Sequence, residues 1–132
     1  MKKYLLDTSV FIWMAGPAEK LNAQARTLLS ASADELYLSA ASSWEITIKY
    51  ALGKLDLPQA PERYVPRRVA DFGIVPLAIT QEHALGTLHL PLHHDDPFDR
   101  MLIAQARKEA MVLLTADKLF KRYAIELFWC GR

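Results

Sequence analysis

The chain has 132 residues, enough for one domain with a buried core and short for two. Apolar side chains make up 52 % of it, yet no uninterrupted apolar run approaches the roughly 20 residues that span a bilayer, which excludes a membrane-spanning helix. With 16 basic and 15 acidic side chains the net charge is +1, so no global field draws the molecule to nucleic acid or an acidic membrane.

In chain order, residues 3–6 are a short apolar run read as a strand, after which Thr8 and Ser9 can cap a helical segment over 10–15 that Gly16-Pro17 ends. Asp7 interrupts the run before a secretory core of about 7 to 15 apolar residues can form. Cys130 is the only cysteine, so no internal disulfide or multi-thiolate zinc site is expected, and a cytoplasmic location is. Asn22 can cap a helix through residue 32, residues 36–38 read as a strand, and Ser39 can cap the next helix, closed by Gly53. Pro58, Pro61 and Pro66 mark a loop and an irregular helix start, so a broken helix is expected over 61–72 with Gly73 behind it. A strand over 74–77, a helix capped by Thr80, and a helix opened by Pro97 and running to about 110 follow. Residues 112–114 read as a buried strand, 118–123 as a short helix, and 125–128 close the series. Short apolar strands alternating with helices predict a single α/β domain over 1–132, with a central parallel sheet covered on both faces. In such sheets ligands collect outside the carboxyl ends of the strands.

Carboxylates map onto that edge. Asp7 directly follows the first strand and Asp117 follows the 112–114 strand by only two residues past Thr115. Glu45 lies one to two turns into the helix after the second strand, and Asp99 lies in the first turn of the helix opened by Asp96-Pro97. Each has a structural explanation: Asp7, Asp96 and Asp117 as caps, Glu45 as an i,i+4 partner of Lys49. Together they are harder to explain that way, because converging carboxylates resist joint ionisation unless a hard divalent cation reverses the preference. All-oxygen ligands favour Mg²⁺ or Mn²⁺ over zinc, and such an ion suits phosphodiester hydrolysis.

The segments Leu5-Leu6-Asp7-Thr8-Ser9, Trp44-Glu45-Ile46, His94-Asp95-Asp96-Pro97-Phe98-Asp99-Arg100-Met101-Leu102-Ile103-Ala104-Gln105-Ala106 and Leu114-Thr115-Ala116-Asp117 resemble the PIN-domain VapC toxins nearly end to end. The resemblance implies a three-layer α/β/α PIN-like fold and a Mg²⁺- or Mn²⁺-dependent endoribonuclease toxin, acting on tRNA or another structured RNA. It also implies a neutralising VapB-type antitoxin, usually with a homodimer or a hetero-oligomer. Position by position, Asp7, Glu45, Asp99 and Asp117 match the acidic quartet, Asp96 a frequent neighbour, and Thr8, Ser9 and Thr115 the small hydroxyl positions. Asp95 departs from the pattern, standing where similar sequences often carry a basic residue. A structure-specific DNA nuclease with the same cluster, a non-catalytic binding module, and a receiver-like signalling module are the alternatives.

Other residues are read structurally. His83, His89, His93 and His94 share no face, so no catalytic histidine is expected, and His94 is assigned to stiffening the loop before Asp96. Trp44, Ile48, Ala51 and Leu55 recur at helical spacing and predict a core face. The apolar residues 10–14 must be covered, by the domain interior or by a second subunit and an antitoxin segment. The basic clusters at Arg67-Arg68, Arg107-Lys108 and residues 118–122 read as solvated helix faces, and Cys130 has no assigned role.

Overall fold

Five short strands, β1 (Lys3–Leu6), β2 (Glu35–Ser39), β3 (Val75–Leu77), β4 (Val112–Thr115) and β5 (Leu127–Trp129), pair in the order β3-β2-β1-β4-β5. Every pairing is parallel. The structure, a computed structural model, describes residues 2–31, 34–93 and 95–132. Parallel neighbours need crossovers, and helices supply them. α1 (Thr8–Ala15) and α2 (Ala23–Ser30) link β1 to β2, α3 (Ala40–Ala51) and α4 (Pro61–Asp71) link β2 to β3, and α5 (Gln81–Gly86) and α6 (Pro97–Glu109) link β3 to β4. A 3-10 turn, Lys118–Arg122, links β4 to β5.

The period-two alternation of the strands decides the layering. Tyr4 and Leu6 of β1 and Val112 and Leu114 of β4 enter one core cluster with Val10, Phe11 and Tyr64, while Leu5 and Leu113 enter a second with Leu102, Ile103 and Phe120. The central strands are therefore buried on both faces, in the expected three-layer α/β/α arrangement, while Val75 and Pro76 of the edge strand β3 are exposed. The strand order also removes the receiver-like alternative, whose sheet runs 2-1-3-4-5. No helix among the described residues is long and apolar enough to cross a membrane.

Most expected punctuation is present. Asn22 accepts from the Ala25 N–H, Ser39 from Ala41 and Thr80 from His83, capping α2, α3 and α5. Gly53, at φ +71°, supplies the left-handed residue that closes α3. Three expectations need correction. The cap of α1 is Asp7, whose carboxylate accepts from the Thr8 N–H, so Thr8 and Ser9 are already helical. α4 runs unbroken through Pro66: the missing N–H costs a single helical bond, and Tyr64, Val65 and Val69 anchor the helix on the core. The last strand is shifted to 127–129: it pairs from Leu127 beside Leu113, whose N–H bonds the Glu126 carbonyl, and the Ile125 N–H bonds the Tyr123 carbonyl in a turn before it. The expected short helix is present at 118–122, as a 3-10 helix. The expected end of the second helix at Ser32 and the role given to His94 lie outside the described residues.

Candidate functional site

From β1 the chain order runs outward in both directions, through β2 to β3 on one side and β4 to β5 on the other. At such a switch point the connections leave in opposite directions and open a crevice at the carboxyl ends. Asp7 stands at the end of β1 and Asp117 just past β4, one on each side of that crevice. Here a cleft of about 600 Å³ is lined by Asp7, Glu45, Asp96, Asp99 and Asp117, with Thr8, Ser9, Trp13, Lys49 and Lys118 in its walls. All four members of the expected quartet, and the neighbouring Asp96, thus face one space. Asp95 is exposed outside it.

Hydrogen bonds fix how the carboxylates present themselves. One Asp7 oxygen accepts the Thr8 N–H at 2.7 Å, and the other accepts the Thr115 hydroxyl at 2.9 Å. That same Thr115 oxygen accepts the Asp117 N–H at 3.0 Å, so one side chain ties the ends of β1 and β4 together. Asp117 Oδ1 in turn accepts from the Leu119 N–H and caps the 3-10 turn. Thr8 Oγ1 donates to Glu45 Oε1 at 2.7 Å and stands 3.0 Å from Ser42 Oγ. Glu45 Oε2 accepts from Lys49 Nζ at 2.6 Å. Asp96 Oδ1 accepts from the N–H groups of Phe98 and Asp99 and starts α6, placing Asp99 in the first turn. Thr8 and Thr115 are buried and bonded to the quartet, whereas Ser9 is exposed at the rim.

The electrostatics follow from this crowding. Burial, then Asp7, Asp96, Glu45 and Asp117 in turn, push the Asp99 carboxyl up to about 8. Burial also raises Asp7, to about 6, against the lowering effect of its bonds from Thr115 and Thr8 and with Glu45 and Asp117 adding to the rise. Two carboxyls in one cleft thus resist losing their protons, and a divalent cation among them is the charge that would reverse this. The donor set is all oxygen, which suits Mg²⁺ or Mn²⁺. Among the described residues no three His, Cys, Asp or Glu side chains stand ready to grip one ion directly. Mg²⁺ does not require that, since it retains several waters and is held through one or two carboxylates. The residues fit the ion on these grounds.

Several side chains lie where residue order alone did not put them. Trp44 is 60 % exposed, with its ring edge-on to Phe98 at 5.2 Å, and the buried face of α3 is Ala41, Ser42, Glu45 and Ile46. Turning Glu45 into the cleft rotates Trp44 about 100° away from it, so the expected core face through Trp44 is overturned. Ser42 was missed, although it lies three residues before Glu45 and hence on the same face. Val10 and Phe11 are covered by the domain interior, while Trp13 reaches the cleft wall. Of the basic clusters, Arg67 and Arg68 pair with Asp71 and Lys108 with Glu82, as solvated faces do, but Lys118 lines the cleft. His83 is buried against Glu109, and His93 packs edge-on against Tyr123. The Cys130 thiol is buried, and burial with help from Asp7 pushes it up to about 12, which leaves it inert.

The PIN domain family model matches residues 4–126. Ribonuclease VapC16 of Mycobacterium tuberculosis is 40 % identical over 60 residues, a stretch covering 46 % of this chain and 43 % of that protein. Among solved structures, a chain of VapBC2 from Rickettsia felis bound to a promoter DNA fragment superposes with a TM-score of 0.74 at 14 % identity, over 98 % of this chain and 99 % of the other. A chain of DNA-bound VapBC from Salmonella typhimurium gives 0.65 at 20 % identity, over 97 % and 98 %. At these identities the two structures speak for the fold. The family match spans nearly the whole sequence, and the chain belongs to the PIN-domain family.

Proposed function

We propose that this PIN-domain chain is a Mg²⁺- or Mn²⁺-dependent endoribonuclease of the VapC kind, a cytoplasmic toxin restrained by a VapB-type antitoxin. The observation that carries the reading is the set of five carboxylates around one cleft, in which Asp99 is held near 8 by burial and by its acidic neighbours. Asp7, Glu45, Asp99 and Asp117 would hold the ion, with Asp96 at the rim. When bound, the ion supplies an activated water and neutralises charge developing on the phosphate. The remaining work belongs to the chain. Thr115 and Thr8 orient the Asp7 and Glu45 carboxylates through the 2.9 and 2.7 Å hydroxyl bonds, so that both present oxygens to the cleft. Lys118 in the wall offers positive charge to an approaching phosphate. Trp13, also in the wall, offers an aromatic edge to an unstacked base.

Partner and substrate come from the relatives. The local likeness to a ribonuclease supports RNA as the substrate, and the fold likeness to chains of VapBC complexes supports a cognate antitoxin and a hetero-oligomer with it, beside the homodimer that the resemblance implies. A structured RNA such as tRNA, cut in an exposed loop, is the proposed target. The test is incubation of purified chain with a single-stranded RNA and with DNA of the same sequence. Cleavage of the RNA with Mg²⁺, its loss in EDTA, and its return on adding excess Mg²⁺ are expected. Undiminished cutting in EDTA would reject the metal mechanism, and equal cutting of DNA would favour the DNA-nuclease alternative.

A further inference from the structure

Lys49 enters the site from the last turn of α3, one turn beyond Glu45. Its ammonium lies 2.6 Å from Glu45 Oε2, and it lines the same cleft as the acidic side chains. An i,i+4 pair on a helix is ordinarily a weak, solvated contact. This one differs because the Glu45 side chain is only 7 % exposed, while the Lys49 side chain is 49 % exposed. One partner is fixed in the cleft by Thr8, and the other hangs on a flexible four-carbon stem reaching in from solvent. The field at Lys49 comes from more than its bonded partner, since Asp96 and Asp99 also favour its charged form.

We infer that Lys49 is an exchangeable internal counter-ion: it holds Glu45 while the cleft lacks a divalent cation, yields that carboxylate to the ion, and then meets the phosphate of the bound strand. The inference rests on the proposed metal-dependent reading of the site. Its first half follows from competition for lone pairs. The Glu45 oxygen that accepts the ammonium is one the ion would use, and among several carboxylates a double charge gains more than a single one. The second half follows from tethering. The released ammonium remains in the wall of the cleft, where the only incoming negative charge of comparable strength is phosphate, for which lysine serves as a point-charge ligand. Lys49 is in this sense a positioning residue that alternates between two anions.

The two halves predict opposite movements of two constants, which loss of structure alone would not produce. Mn²⁺ binding is measured by calorimetry on the full chain carrying Lys49→Met or Lys49→Arg and on the unaltered chain, with circular dichroism to verify folding. Lys49→Met should bind Mn²⁺ about two- to fivefold tighter, the scale of a partly exposed ion pair. Its KM for RNA at saturating Mn²⁺ should rise by a similar factor, and Lys49→Arg should stay near the unaltered chain in both. Mn²⁺ affinity in Lys49→Met equal to or weaker than that of the unaltered chain overturns the inference and leaves the metal reading standing. Absence of Mn²⁺ binding by the unaltered chain removes both.

Discussion

The seam between α5 and α6 and the cleft at the carboxyl edge both bury ionisable side chains, but they satisfy them differently. In the seam, His83 Nδ1 accepts the Thr80 N–H at 3.0 Å, and Nε2 meets Glu109 Oε2 at 2.7 Å. A neutral imidazole with its proton on Nε2 fills both roles, and Gln105 crosses to the Ala78 carbonyl. Apart from Gln105 Oε1, which finds no partner among the described residues, the chain supplies what the seam needs. In the cleft, five carboxylates face two lysines, Lys49 and Lys118. Acidic side chains outnumber basic ones among the described residues of the lining, and burial with these acidic neighbours pushes the Asp99 carboxyl up to about 8. A cluster completed by its own sequence stabilises the fold, whereas one left in excess is shaped for something from outside.

Mutation should separate the two regions most sharply. Asp99→Asn should lower RNA cleavage on the order of a hundredfold or more, as expected where charge-stabilising chemistry is removed, with the circular dichroism spectrum unchanged. His83→Ala should do the reverse. Loss of a buried side chain and of two hydrogen bonds should destabilise the protein by about 2 to 4 kcal/mol in denaturant titration, with cleavage by the folded fraction little changed. If His83→Ala abolished cleavage at full stability, or Asp99→Asn unfolded the chain, the division between the regions would be wrong.

A smaller effect follows from pH. The Asp99 carboxyl lies at about 8 in the folded protein against an ordinary value of 3.8, so the folded state binds the proton more tightly than the unfolded one. Its contribution to stability is complete below 3.8 and is lost as pH rises toward and through about 8. Asp7 acts in the same direction up to about 6. The Tm of the chain in EDTA should therefore fall across this window. Asp99→Asn should flatten the fall and raise Tm by a few degrees at its alkaline end. A Tm that climbs over the same window would contradict the assigned shifts.

How much of this was legible in residue order depends on distance along the chain. Asp7 and Asp117 were readable as edge residues because each follows a strand within two or three positions, and Asp96-Pro97 announced α6 by its cap. The bond from Thr115 to Asp7 spans 108 positions and exists only because β4 lies beside β1, so its geometry was not readable beforehand. The orientation of α3 was misjudged for a related reason. Helical periodicity identifies a buried stripe but treats polar residues as outward, and here the polar Ser42 and Glu45 point inward to the cleft while Trp44 takes the solvent side. Pro66 looked like a break because local propensity favours one, and tertiary contacts of Tyr64 and Val69 prevailed.

The central claim is that excess carboxylate in the cleft is relieved by a divalent cation, and thermal unfolding near neutral pH with Mg²⁺ or with EDTA tests it without relying on any substrate. Binding to the folded state alone raises stability in proportion to the logarithm of ion concentration over its dissociation constant. The account predicts that Mg²⁺ raises the Tm of the unaltered chain by several degrees, increasingly with concentration. Asp99→Asn should begin from a higher Tm in EDTA and gain little from Mg²⁺. An equal gain in both proteins, or none in the unaltered chain, would contradict it.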